Sequence, residues 1–156
     1  MSNLYRLGIG MMMLNSKNKA FVAERKKPKN AWQMPQGGIE MNELPQDALL
    51  REAMEEIGTN NFHIITESSN WLKYDFPLKY KRKWFGGKYI GQKQKWFLLN
   101  FLGDDDEINI NTVGAEFVSW KWIDVNELEE MIVDFKKEMY RNIVSEFNTV
   151  ILKDLK

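Results

Sequence analysis

Between residues 37 and 58 seven positions stand in a fixed register, Gly37, Glu43, Arg51, Glu52, Glu55, Glu56 and Gly58, with the spacing G-x5-E-x7-R-E-x-x-E-E-x-G. The chemistry open to such a set is that of clustered carboxylates. Pro45 suits the first turn of a helix, where its missing N–H has no partner to lose. From there Leu49, Leu50, Ala53, Met54 and Ile57 recur at helical spacing and predict the buried arc. Glu52 and Glu56, four apart, are then expected on the opposite face with Glu55 beside them, and Ala48 between them is too small to fill the space in front. Three carboxylates this close repel one another and would weaken a bare helix. A hard divalent cation that takes oxygen ligands removes the repulsion, and ions of the magnesium type bind through a few carboxylates plus substrate phosphates. Arg51, four residues before Glu55, is placed to hold that side chain by an ion pair. Gly37 and Gly38 allow a tight turn and a close backbone approach ahead of the helix. Taken alone, E-x-x-E-E would describe an ordinary acidic surface helix; the glycine pair, Glu43 and Arg51 at these offsets point to a metal site.

A second group of residues has the opposite charge. The formal net charge is zero, yet between Lys73 and Lys95 there are eight basic residues and one acid, Asp75. Tyr74, Phe76, Tyr80, Trp84, Phe85 and Tyr89 are interleaved with them. Cations that neutralise phosphates, next to rings that stack on bases, are what a nucleotide or a single-stranded nucleic acid requires. Taken singly, each ring could equally face a core; the cluster, with Tyr74, Lys93 and Lys95 among it, favours substrate contact.

These groups need a scaffold. Leu4 to Leu14 and Ala20 to Arg25 predict two strands joined by a turn over Asn15 to Lys19. A basic loop over Lys26 to Asn30 follows, ahead of Trp32 and the glycines. Further strands are expected over Phe62 to Ile65, Trp71 to Phe76, Gln92 to Phe101 and Glu116 to Ile123. Gly86, Gly87 and Gly91 break the basic region into loop pieces. Asp104 to Asp106 read as a solvated turn, and Asp124 to Glu127 has the spacing of a capping box that opens a short helix. Phe135, Met139, Ile143, Phe147 and Ile151 form an apolar stripe, so a terminal helix over about 134–152 packs on the sheet. The 156 residues suggest one domain with its own core, spanning 1–156.

Composition narrows the function further. The chain has no cysteine and one histidine, His63, which excludes disulfides, thiolate chemistry and multi-histidine metal sites. His63 lies in an apolar run and is expected to be structural. No stretch has the apolar length of a bilayer span, and Leu7 to Leu14 lacks a cleavage site after it, so a cytoplasmic location without membrane attachment is expected.

The segment 37–58 resembles the signature box of the Nudix hydrolases, which cleave diphosphate linkages with bound divalent metal. The resemblance runs from Tyr5-Arg6 to the C-terminal helix. Trp32-Gln-Met-Pro-Gln-Gly-Gly38, Asn70-Trp-Leu-Lys-Tyr74, Ile90-Gly-Gln-Lys-Gln-Lys-Trp-Phe97 and Glu116-Phe-x-x-Trp-x-Trp122 occur together in that order, as in the bacterial branch that acts as RNA pyrophosphohydrolase or (di)nucleoside polyphosphate hydrolase. The resemblance implies an α+β fold, an α/β/α sandwich in which a mixed sheet lies between helices and the box forms a loop-helix-loop. It implies removal of pyrophosphate from the 5′ end of triphosphorylated RNA, promoting RNA decay. Glu52, Glu55 and Glu56 match its catalytic metal ligands, and Glu116 matches a further ligand or base. Magnesium is the expected ion, with manganese an alternative. Ala53 and Thr59 depart from the larger apolar residues usual at those places; neither touches the carboxylates.

On this reading the proton of the attacking water goes to Glu56 or Glu116. Arg6, Arg25 and Lys26 are candidates for the distal phosphates, since arginine binds them bidentately. Gly37, Gly38, Tyr74, Lys93 and Lys95 complete the expected substrate contacts, and Glu43, Arg51 and Gly58 shape the box. Dinucleoside polyphosphates are the alternative substrate, and DNA is not expected. A non-catalytic nucleotide-binding module is disfavoured, because no box carboxylate is missing.

Overall fold

The computed structural model describes residues 4–28 and 30–154. Residue 29 of the expected basic loop, together with residues 1–3 and 155–156, lies outside the described residues. Eight strands form a mixed sheet: β1 (Tyr5–Leu14), β2 (Ala20–Arg25), β3 (Trp32–Gln33), β4 (Gln36–Gly38), β5 (Phe62–Glu67), β6 (Leu72–Asp75), β7 (Gly91–Phe101) and β8 (Phe117–Ile123). The main path runs β3-β2-β1-β7-β5, while β4 pairs with β1, β6 with β7, and β8 with β2. At its centre β1 and β7 run parallel, in register from Tyr5 opposite Gly91 to Leu14 opposite Asn100. The other pairings are antiparallel.

Residues alternate between the two faces of a strand, and here both faces are covered. Met12, Leu14, Trp96 and Leu98 pack with Met139, Ile143 and Phe147 of the helix α4 (Lys137–Asp154). Ile9, Met11, Met13, Phe97 and Leu99 pack with Leu49, Ala53 and Ile57 of α1 (Pro45–Ile57). The result is the expected three-layer α+β sandwich. Two shorter helices complete it, α2 (Leu78–Lys81) and α3 (Leu128–Met131).

The departures from sequence expectation have local causes. Strands β3 and β4, not expected from the sequence, are two and three residues long, too short for an alternation to show. Gly91 belongs to a strand rather than a loop: it opens β7 beside Tyr5 and Asp75. Leu78 to Gly87 winds into α2 and a 3-10 turn. The Asp124 carboxylate caps the Asn126 N–H, and the turn it opens is 3-10 before α3 begins. Among the described residues no helix is long and apolar enough to cross a membrane.

Candidate active site

Helix α1 presents its charges differently from the simple two-faced expectation. Its buried side holds Ala48, Leu49, Ala53 and Ile57 and, with them, Glu52 and Glu56, while Met54 is exposed. The arc is rotated toward the carboxylates because β4 crosses in front of them at a residue without a side chain. A Cβ added at Gly37 would lie 2.0 Å from the Glu52 carboxyl carbon. Glycine at 37 is therefore a requirement of space. Gly37→Ala should lower turnover by roughly 100-fold, the effect expected when a ligand set is displaced by about an ångström. Unchanged kinetics in a variant that folds would show that Glu52 need not occupy this position. At the other end of the helix Gly58 is the left-handed C-cap, φ 73°, the conformation that terminates helices at least cost to glycine.

Arg51 organises the acids around it. Its Nε and Nη2 donate to the two Glu43 carboxylate oxygens at 2.9 Å each, Nη2 also reaches the Gly38 carbonyl at 2.8 Å, and Nη1 reaches Glu52 at 3.0 Å and Glu55 at 3.3 Å. One guanidinium thus ties the loop before the helix to its charged face. The Arg51 hydrogen bonds, reinforced by the Glu40 N–H, hold the Glu43 carboxyl down at about 2. The expected Arg51–Glu55 pair forms, but it draws Glu55 to the exposed rim.

Glu52, Glu56 and Glu116 all line one cavity of about 490 Å³. Glu116 stands just before β8, and its carbonyl accepts from the Lys26 N–H at 3.0 Å. Among the described residues no three acidic side chains already converge as a finished metal cluster. The donor set nevertheless fits a hard cation. Glu56 Oε2 is buried and has no hydrogen-bond partner. Burial, followed by the charges of Glu52 and Glu116, pushes the Glu56 carboxyl well above the usual carboxylate range. Burial also raises Glu52, against the opposing hydrogen bond from Arg51. Arg51 beside Glu52 and Arg25 near Glu56 do not offset the rise, and a divalent ion would supply the further positive charge.

The same cavity also holds cations. Arg6, Arg25 and Lys136 line the cavity, and among the described residues none of the three forms an ion pair. Arg6 is held by Gln92 Oε1 at 3.3 Å. Tyr74, 6% exposed, accepts from Gln92 Nε2 at 2.9 Å and from Gln36 Nε2 at 3.4 Å. Its ring packs against Phe76 and Phe135. Lys136, 4% exposed, sits 5.1 Å from the Tyr74 ring centre, and burial, then the charge on Arg25, lowers its ammonium to about 7.

Of the residues singled out in the sequence, the structure brings Arg6, Arg25, Gly37, Gly38, Glu52, Glu56, Tyr74 and Glu116 to this cavity. It does not bring Lys26, Lys93 or Lys95 there. Gln92 and Gln94 are buried on the Trp96 side of β7, so strand alternation turns Lys93 and Lys95 to the other face; Lys95 lies over Trp71 instead. Lys136, Gln92 and Gln36 were not singled out, and Phe135, read as part of the core stripe, lines the cavity. The two glutamines, polar residues at buried strand positions, carried a signal that hydrophobic periodicity does not score.

The cavity thus gathers buried carboxylates together with cations that form no ion pair among the described residues. The NUDIX domain family matches residues 4–143, and the chain belongs to that family. An RNA pyrophosphohydrolase of Rickettsia canadensis (strain McKiel) is 47% identical over 148 residues, covering 94% of this chain and 92% of its own length. Among solved structures, the E. coli dihydroneopterin triphosphate pyrophosphohydrolase superposes with a TM-score of 0.72 at 16% identity, covering 92% of this chain and 99% of that one. A C. elegans Ap4A hydrolase in a binary complex gives 0.64 at 14% identity, covering 91% and 98%. At such identities these two report on the fold alone.

Proposed function

We infer that this chain is a hydrolase that removes pyrophosphate from the 5′ end of triphosphorylated RNA. The observation that carries the reading is 47% identity over 94% of the chain to a relative of that name, together with a cavity whose charges match a polyphosphate. Water adds across the anhydride between the α and β phosphates, leaving a 5′-monophosphate on the RNA and free pyrophosphate. Nudix hydrolases generally use divalent ions, and magnesium, with manganese able to replace it, is proposed for Glu52, Glu56 and Glu116, Glu55 joining them by releasing Arg51. Such an ion neutralises phosphate oxygens and makes a bound water more acidic.

The protein's own residues do the rest. Arg6, Arg25 and Lys136 take the phosphate charges, Gln36, Gln92 and Tyr74 fix the wall that carries Arg6, and Glu56 or Glu116 accepts the proton of the attacking water. We take the whole chain as one Nudix domain working in the cytoplasm. Turnover of 5′-triphosphorylated RNA, with and without magnesium, tests the assignment. In competition at equal concentration with a dinucleoside polyphosphate, RNA should be consumed first; the reverse order would favour the alternative substrate. Glu116→Ala should lower the rate of the chemical step about 10- to 100-fold while binding and thermal stability change little, since general acid–base groups contribute on this scale. A parent-like rate across the pH range would leave Glu52, Glu55 and Glu56 to act without it.

A further inference from the structure

The segment after β6, which matches no pattern read from the sequence, carries a feature of its own. Phe85 adopts the left-handed conformation, φ 52° and ψ 35°, although it is not glycine, and Gly86 and Gly87 continue the same hand at φ 67° and 76°. A side chain crowds its own backbone there, so a non-glycine residue is retained where its surroundings hold it. Phe85 lines the cavity. Its ring is stacked on Phe76 at 6.0 Å between centres, meets the Tyr89 ring edge-on at 6.2 Å, and lies 4.5 Å from the Arg6 guanidinium.

Arg6 is boxed in by three contacts. The Phe85 ring lies against the guanidinium carbon, Gln92 Oε1 takes one N–H at 3.3 Å, and the Gly38 backbone, where a Cβ would fall 2.1 Å from Nη2, closes the third side. None of these contacts is a carboxylate, so the guanidinium keeps its charge unspent toward the cavity. A ring face attracts a cation without consuming its N–H donors. A carboxylate in the same place would compete with the phosphate.

We propose that Phe85 is a positioning residue that holds Arg6 ready for the polyphosphate through the face of its ring, the left-handed turn at 85–87 being what aims that ring. The proposal rests on the assignment of a polyphosphate substrate. It predicts that Phe85 acts through Arg6 and not on the nucleoside.

The test is a double-mutant cycle over Arg6→Ala, Phe85→Ala and the pair, with Phe85→Leu, Phe85→Trp and Phe85→Gly alongside. Phe85→Ala should raise KM for triphosphorylated RNA roughly three- to tenfold, the scale of one cation–π contact, with kcat nearly unchanged. Phe85→Trp should restore the parent KM and Phe85→Leu should not. Phe85→Gly, whose backbone is at ease in this turn, should fold at least as stably yet show the high KM. In the Arg6→Ala background Phe85→Ala should add nothing. Full additivity of the two substitutions, or parent KM in Phe85→Leu, would overturn the proposal. Calorimetric binding of inorganic triphosphate to the same variants reads the coupling without turnover. A parent protein that binds triphosphate with this coupling but does not hydrolyse triphosphorylated RNA would sink the assigned function and leave the role of Phe85 standing.

Discussion

Glu56→Gln is expected to lower hydrolysis by about 10³-fold or more and, in the absence of metal, to make the protein more stable at neutral pH. Loss of a ligand that supports several kcal/mol of transition-state charge stabilisation accounts for the first effect. The second follows from the electrostatics of the empty acid pair. Burial, with Glu52 and Glu116 nearby, raises the Glu56 carboxyl well above its ordinary 4.5 in the folded chain. Above that ordinary value the unfolded chain has already lost the proton that the folded chain keeps. Stability therefore falls as pH rises from 4.5 to the raised folded value, and stays lower beyond it. Glutamine removes the penalty, so the thermal midpoint should rise in chelator by roughly 2–4 °C for each kcal/mol relieved. Below pH 4.5 the gain should vanish. Magnesium should stabilise the parent far more than the variant, and parent metal affinity should weaken toward acid as protons compete for Glu56. Near-parent turnover by Glu56→Gln would remove α1 from the catalytic centre.

Lys136→Met should raise stability by a few kcal/mol at pH 7 or below. The ammonium is buried, has no ion-pair partner among the described residues and is lowered from 10.5 to about 7. At pH 7 the unfolded chain carries that charge freely while the folded chain either buries it or gives up the proton, at about 1.4 kcal/mol for each pH unit of separation. Stability of the parent should rise between about pH 7 and 10.5 as the unfolded chain sheds its excess proton. The advantage of methionine should shrink over the same interval and be gone above it. Denaturant melts of the two proteins at pH 6, 8 and 10 measure this. A constant difference across the series would mean that packing, not charge, separates them. Methionine cannot hold a phosphate, so KM for triphosphorylated RNA should also rise.

Much of this architecture was legible because two periodicities and one spacing state it directly. The strands β1, β2 and β7, the box helix and the terminal helix start and stop within a few residues of the expected places. The site was legible in its acids, where Glu52 and Glu56 sit in a fixed register, and less so in its cations. Lys136 escaped although it stands three residues before Met139 and seven before Ile143, on the buried side of the helical period, because a lysine is ordinarily read as solvent-facing. It closes a 3-10 turn, Asp134–Lys136, just ahead of α4 and lines the cavity from there. Lys93 and Lys95 misled for a different reason. Trp96 and Phe97 are both buried, on opposite faces of β7, so a doubly covered strand does not announce which side meets the substrate. The inward turn of Glu52 and Glu56 depended on an absence, the missing side chain at 37, which has no hydrophobic signature.

The parallel pairing of β1 with β7 also bears on how the protein comes into being. Arg6 can meet Gln92 only after 86 further residues have been made, and Lys136 arrives later still, whereas the whole carboxylate helix is complete by residue 57. Contacts so distant along the chain close late, after local helices have formed. A polypeptide emerging from the ribosome thus carries Arg6, Arg25 and the carboxylate helix well before the residues that fix Arg6 in place. The cavity is complete only when the last quarter of the chain docks and brings Lys136 beside those two arginines.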